Sequence, residues 1–146
     1  MADYEVVDVP SFFALTKLAT CSHAELGPTM GRLYGEIGAA HPEAELAAPP
    51  VCFYLSWREA DCDIECGLPV EAGTPEAKHF PACRAVRAVH QGPYANLHEA
   101  WIRLWGNLGA SGLAPEGSPW DSYVTDPEQE SDASQWITEI FIPIRS

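Results

Sequence analysis

The sequence predicts an α+β fold: a tandem, pseudo-twofold repeat of two strand-helix-strand-strand modules, with antiparallel sheet and a cleft between the halves. Three observations carry this reading. Residues 14–39 align without a gap on residues 85–110 at a constant offset of 71, and eight of the twenty-six pairs are identical. The block ends with Arg32-Leu33-Tyr34-Gly35-Glu36-Ile37-Gly38-Ala39 over Arg103-Leu104-Trp105-Gly106-Asn107-Leu108-Gly109-Ala110. Further on, Glu65, Pro69 and Val70 recur as Glu139, Pro143 and Ile144 at an offset of 74. Finally, each copy passes from β-rich runs to a helical apolar period and back. Two copies of so small a unit share one core, and their junction is a natural place for a cleft. At 146 residues the chain is one domain, with repeat 1 over about 4–72, a linker over 73–81 and repeat 2 over about 82–144.

Repeat 1 opens with two extended runs, Val6 to Val9 and Phe12 to Ala19, rich in β-branched and aromatic residues and interrupted by Pro10. Ser22 with Glu25 has capping-box spacing. Leu26, Met30, Leu33 and Ile37 then recur at helical intervals until Gly38 and Pro42 close the helix. Val51 to Trp57 is a strand, residues 58–61 a polar connection, and Cys62 to Val70 another strand. Gly73, Pro75 and Pro81 mark the linker. In repeat 2, Cys83 to His90 is a strand, and Gln91-Gly92-Pro93-Tyr94 turns into a helix with Leu97, Trp101, Leu104 and Leu108 on one face. Gly109 and Gly112 end it. Trp120 to Thr125 is a strand, and an acidic loop over 126–132 leads to the last strand, Gln135 to Ile144.

Composition narrows the function. Apolar residues make up 47% of the chain and no apolar run is long enough to span a bilayer. Eight Lys and Arg against 21 Asp and Glu give a net charge of −13, a field that repels nucleic acid and anionic lipid and attracts cations. The N-terminus lacks a secretory pattern and the five cysteines are an odd number, so free thiols in the cytoplasm are expected. Cys62-x3-Cys66 with His79-x3-Cys83 does not match the usual zinc spacings, and its cysteines read as buried small hydrophobes. No metal site or cofactor is expected. Phosphate loops, nucleophile elbows and His-Glu-x2-His are absent from the sequence.

Strand alternation points to two carboxylates. On the last strand Ile140 and Ile142 suit the helix, leaving Ile137, Glu139 and Phe141 on the other face. On the strand from Cys62, the same rule sets Asp63 and Glu65 apart from Cys62, Ile64, Cys66 and Leu68. Each copy therefore carries a mid-strand Glu on the face away from its helix.

Several patterns together resemble the GyrI-like small-molecule-binding family, the module that also serves as effector-binding domain in multidrug-sensing regulators of the AraC and MerR types. They are His90-Gln91-Gly92-Pro93-Tyr94-x2-Leu97-x3-Trp101, Gly117-Ser118-Pro119-Trp120-x2-Tyr123, Asp126-Pro127, and Trp136-Ile137-Thr138-Glu139-Ile140-x-Ile142-Pro143-Ile144. Asp63-x-Glu65-x-Gly67-x-Pro69-Val70 extends the likeness to the first half. The resemblance implies a cleft that binds bulky lipophilic, often cationic, aromatic compounds, with an acidic residue at its base matching Glu139. It further implies a stand-alone binder, since the chain leaves no room for a helix-turn-helix before its first strand. An alternative from the same family is hydrolysis of cyclopropane-bearing genotoxins with Glu139 acting on a water. A gyrase-binding role is a third reading.

The candidate ligand-binding set is Glu139 first and Glu65 by symmetry, then Tyr54 and Tyr123, which correspond at an offset of 69. Trp101 as a cleft residue, Tyr94 at the rim, Trp120 as either wall or core, and Phe141 beside Glu139 complete it; cation–π contacts are worth roughly 0.5–2 kcal/mol each. Trp105, aligned with Tyr34, is expected in the packing.

Overall fold

The computed structural model describes residues 4–145 and contains eight strands, two α-helices and short 3-10 turns. All strand pairing within each unit described below is antiparallel. The chain divides into two compact units, one from Pro10–Ala82 and the other from the N-terminal strand together with everything from Cys83 onward.

In the first unit, β2 (Phe12–Ser22) leads through a 3-10 turn into α1 (Leu26–Ala40), followed by β3 (Val51–Trp57), β4 (Asp61–Val70) and β5 (Lys78–Phe80). The strands lie in the order β3-β4-β2-β5. The helix packs Ile37 against Leu15 and Val70, with Phe13, Leu68 and Ala77 around them. Tyr34 Oη donates to the Val51 carbonyl at 2.6 Å, tying α1 to the start of β3. Ser22 Oγ donates to the Glu25 carboxylate at 3.2 Å rather than to a backbone amide, so the capping-box pair closes on itself and α1 starts only at Leu26. Gly38 does not end α1, which runs on to Ala40.

In the other unit, β6 (Cys83–Gln91) leads to α2 (Leu97–Ser111), β7 (Trp120–Tyr123) and β8 (Ile137–Ile144), while β1 (Glu5–Val9) lines the edge, in the order β1-β6-β8-β7. Here Leu97, Ala100, Leu104 and Leu108 pack on Val86, Ile140, Ile142 and Ile144. Each buried Leu, Val or Ile of this set stabilises the fold by roughly 1.5–3 kcal/mol on burial. Gly112, at φ +79°, ends α2 in the left-handed conformation that glycine adopts without strain.

Two strands depart from the sequence reading. The linker holds β5, whose three residues pair with Phe12, Phe13 and Ala14. The first strand, assigned to repeat 1, pairs with β6 through Glu5–Arg87 to Val9–Cys83. Each unit is thus strand-helix-strand-strand plus one edge strand, on the outer side of its first strand. Neither edge strand belongs to the repeated block, which is why the alignment could not assign them.

Candidate functional site

Each sheet carries one glutamate at the middle of an inner strand, on the face turned away from its helix. In the second repeat, register places Glu139 between Val89 on β6 and Ser122 on β7. One residue pair along, Phe141 lies between Arg87 and Trp120. The Trp120 and Phe141 rings stack at 4.7 Å and 9°, and both are buried. The Glu139 side chain is 24% exposed. Arg87 Nε donates to Glu139 Oε2 at 2.7 Å and Arg87 Nη2 donates to the same oxygen. The guanidinium is shared with Glu5 on β1 through Nη1. Burial works to lower the Arg87 pKa, but the Glu139 and Glu5 carboxylates outweigh it and hold the group above its ordinary value. Both Arg87 bonds fall on Oε2, so Glu139 Oε1 keeps its lone pairs unused by any group among the described residues. Two carboxylates and one guanidinium leave a net charge of −1. Arg87 also borders a hollow of about 640 Å³ between the β6 edge and α2, with Ala88, Arg103 and Leu104.

The first repeat builds its version differently. Glu65 lies between Leu18 on β2 and Phe53 on β3 and is 4% exposed. Both of its oxygens accept from Lys78 Nζ on β5, at 3.0 and 2.9 Å. Phe80 stacks on Phe53 at 4.7 Å and on Phe12 at 5.0 Å. The ammonium also lies 5.1 Å from the Phe80 ring centre. Gly67 keeps this face close-packed, since a Cβ there would sit 3.2 Å from Val51 Cγ2 and 3.3 Å from Ala14 Cβ.

The eight sequence-predicted residues fall into separate groups. Glu139, Trp120 and Phe141 share one face of the second unit, and Glu65 has the matching place in the first. Tyr123 pairs with Thr138, on the helix side of the sheet. Tyr94 joins it there, 5.4 Å away edge-on, and packs 4.8 Å from Trp136. Burial, then the charges of Asp126 and Asp121, push the Tyr94 hydroxyl above its ordinary pKa. Trp101 packs against the α2 core, also on the helix side. These three therefore lie on the opposite face of the sheet from Glu139. Tyr54 pairs with Ile64 on the helix side of the first unit, edge-on to Trp57 at 6.0 Å. Trp57 in turn stacks on His23 at 4.1 Å. Trp105 is 42% exposed rather than packed: the buried stripe of α2 runs Leu97, Ala100, Leu104, Leu108, and position 105 lies one step, about 100°, past it.

Sequence reasoning missed Arg87, Lys78 and the ring stack around Phe53. A signal existed for Arg87: in a chain with eight basic residues, an Arg inside a predicted strand is conspicuous, whereas Lys78 falls in the expected linker. The cysteines behave as small core residues. All five are free thiols, and Cys21 faces Cys62 across β2–β4 while Cys52 faces Cys66 across β3–β4. Burial, and secondarily Cys21, push the Cys62 thiol up to about 11. Among the described residues no three His, Cys, Asp or Glu side chains converge to hold a metal, and no helix is long and apolar enough to cross a membrane.

Two duplicated helix-on-sheet units, each with a mid-strand glutamate on the face away from its helix, are the architecture of a small-molecule-binding domain. The chain belongs to the GyrI-like family, "GyrI-like small molecule binding domain", whose model matches residues 3–145. Among solved structures it is similar to the EcmrR C-terminal domain, with 26% identity, TM-score 0.80, and coverage of 98% of this chain and 97% of that one. It spans 57% of the full EcmrR chain seen in a DNA complex. It shares its fold with SAV2435 bound to tetraphenylphosphonium, at 10% identity, TM-score 0.74, and 98% and 94% coverage. A hydrolase from Listeria innocua also has this fold, at 15% identity, TM-score 0.64, and 98% and 92% coverage. No curated protein sequence matches the chain significantly.

Proposed function

We propose that this small-molecule-binding domain takes bulky lipophilic cations on the face of its second repeat turned away from α2, with the partly exposed Glu139 as the anionic contact and the buried Trp120–Phe141 stack as the apolar backing beside it. The observation that carries this reading is the unused Oε1 of a half-buried carboxylate next to stacked rings. Arg87 occupies the other oxygen and divides its charge with Glu5, so the site keeps an unbalanced negative charge. A delocalised cation restores that balance while burying its hydrocarbon. A cation bearing an N–H gains a charge-assisted hydrogen bond of about 1.5–3 kcal/mol, whereas a donor-free cation such as tetraphenylphosphonium gains the ion pair and the burial of its rings. That SAV2435 has been seen with tetraphenylphosphonium, a ligand of this chemistry on the same fold, supports the choice of class.

The test is titration with tetraphenylphosphonium or a fluorescent aromatic cation. Glu139→Gln should weaken binding about tenfold or more, since ~1.4 kcal/mol is a factor of ten. Equal affinity in the parent and Glu139→Gln sinks the assignment of the carboxylate. Equal affinity for a neutral aromatic of the same size sinks the ligand class.

A further inference from the structure

We propose that the first repeat holds a second organic-cation site, formed by Glu65 and the Phe53–Phe80 ring pair, whose resident ligand is the chain's own Lys78 ammonium. The ligand class it takes is the primary alkylammonium ion. This stands on contacts of the first unit alone and does not depend on what Glu139 binds.

Lys78 sits in its surroundings as a bound ligand would. Both Glu65 oxygens go to one nitrogen, at 3.0 and 2.9 Å, and that nitrogen stands 5.1 Å from the Phe80 ring centre. Carboxylate plus ring is the recognition set for an organic ammonium ion. The pair also differs from the chain's surface pairs. Lys17–Glu36, Arg84–Asp8 and Arg145–Glu116 have both ends at least 36% exposed, whereas the Glu65 side chain is 5% exposed. Removing the ammonium therefore leaves a buried carboxylate uncompensated, a destabilisation that another cation in the same place relieves.

The cradle and its occupant also have different anchoring. Glu65 and Phe53 are on strands paired along most of their lengths. Lys78 comes from the three-residue edge strand β5, reached through Gly73 at φ +91° and Glu76 at φ +67° and ended by Pro81. Glu76 is an L residue in the left-handed region, a sign that this segment follows the demands of placing β5. The carboxylate and rings persist when the lysine side chain is shortened, because Phe80 holds its stack on Phe12 and Phe53.

Lys78→Ala deletes four side-chain heavy atoms, the atoms of n-propylammonium, which is the probe. The measurement is thermal unfolding with increasing n-propylammonium chloride, against sodium chloride and n-propanol. Lys78→Ala should melt below the parent and be restored saturably; at ten times the Kd the folding constant rises about elevenfold. The parent should show no such rise, and neither should Glu65→Gln/Lys78→Ala. Should Lys78→Ala fail to fold alone, refolding yield with n-propylammonium present reads the same property. No saturable gain in Lys78→Ala, or an equal gain in the double variant, overturns the proposal. Repeating the series on Glu139→Gln separates this site from the second repeat, since the gain should persist there even if the parent binds no cation at all.

Discussion

Arg87 and Lys78 decide what the two mid-strand glutamates do. Lys78 saturates Glu65, whereas Arg87 takes one oxygen of Glu139 and splits its charge with Glu5. Equivalent residues of a duplicated unit have thus acquired different availability through their partners. Nearby, Asp63 shows the same dependence on partners. Arg58, then Ser56 and Thr20, hold its carboxyl well below the ordinary carboxylate range. A depressed folded-state pKa contributes stability that is fully present above the unfolded value, near 4, and is lost as pH falls through the folded value. Asp63→Asn should therefore lose less stability than the parent between neutral pH and about pH 3, measured by urea unfolding at both. Equal losses would show that the Arg58–Asp63 cluster does not contribute to acid sensitivity.

At the level of elements, alternation and helical period set which side chains are buried. Ile140, Ile142 and Ile144 meet α2, while Ile137, Glu139 and Phe141 take the other face, as the strand period requires. The α2 stripe is narrow, and Leu104, at 1% exposure, is its centre. Leu104→Ala should cost about 2–5 kcal/mol by leaving a cavity beneath the helix, read from chemical denaturation. A cost under ~1 kcal/mol would mean that α2 relaxes into the space. The glutamates were legible at this scale because a two-residue period fixes facing. Their basic partners were not, because the contacts cross strands separated by 52 residues for Arg87–Glu139 and 13 for Lys78–Glu65. The edge strands were illegible for a related reason: three residues or five carry too little pattern to name a partner strand.

For the molecule as a whole, 21 acidic residues against eight basic ones give a field that concentrates organic cations at the surface. Affinity for a monovalent aromatic cation should consequently fall as salt rises through the physiological range, while that for a neutral aromatic should hold steady. Titrations at low and high salt check this, and a cation affinity indifferent to salt would show that burial of rings alone drives binding. The sequence by itself determined the duplication, the α+β class, the family and the face on which each glutamate lies, because those follow from local periods and from a repeat that can be aligned. Only the tertiary structure decided that Lys78 fills one acid's coordination and Arg87 half of the other's, that rings expected together lie on opposite sides of a sheet, and that β1 pairs outside its own repeat. Such outcomes depend on which strands become neighbours, and pairing energy is collected between segments far apart in the chain.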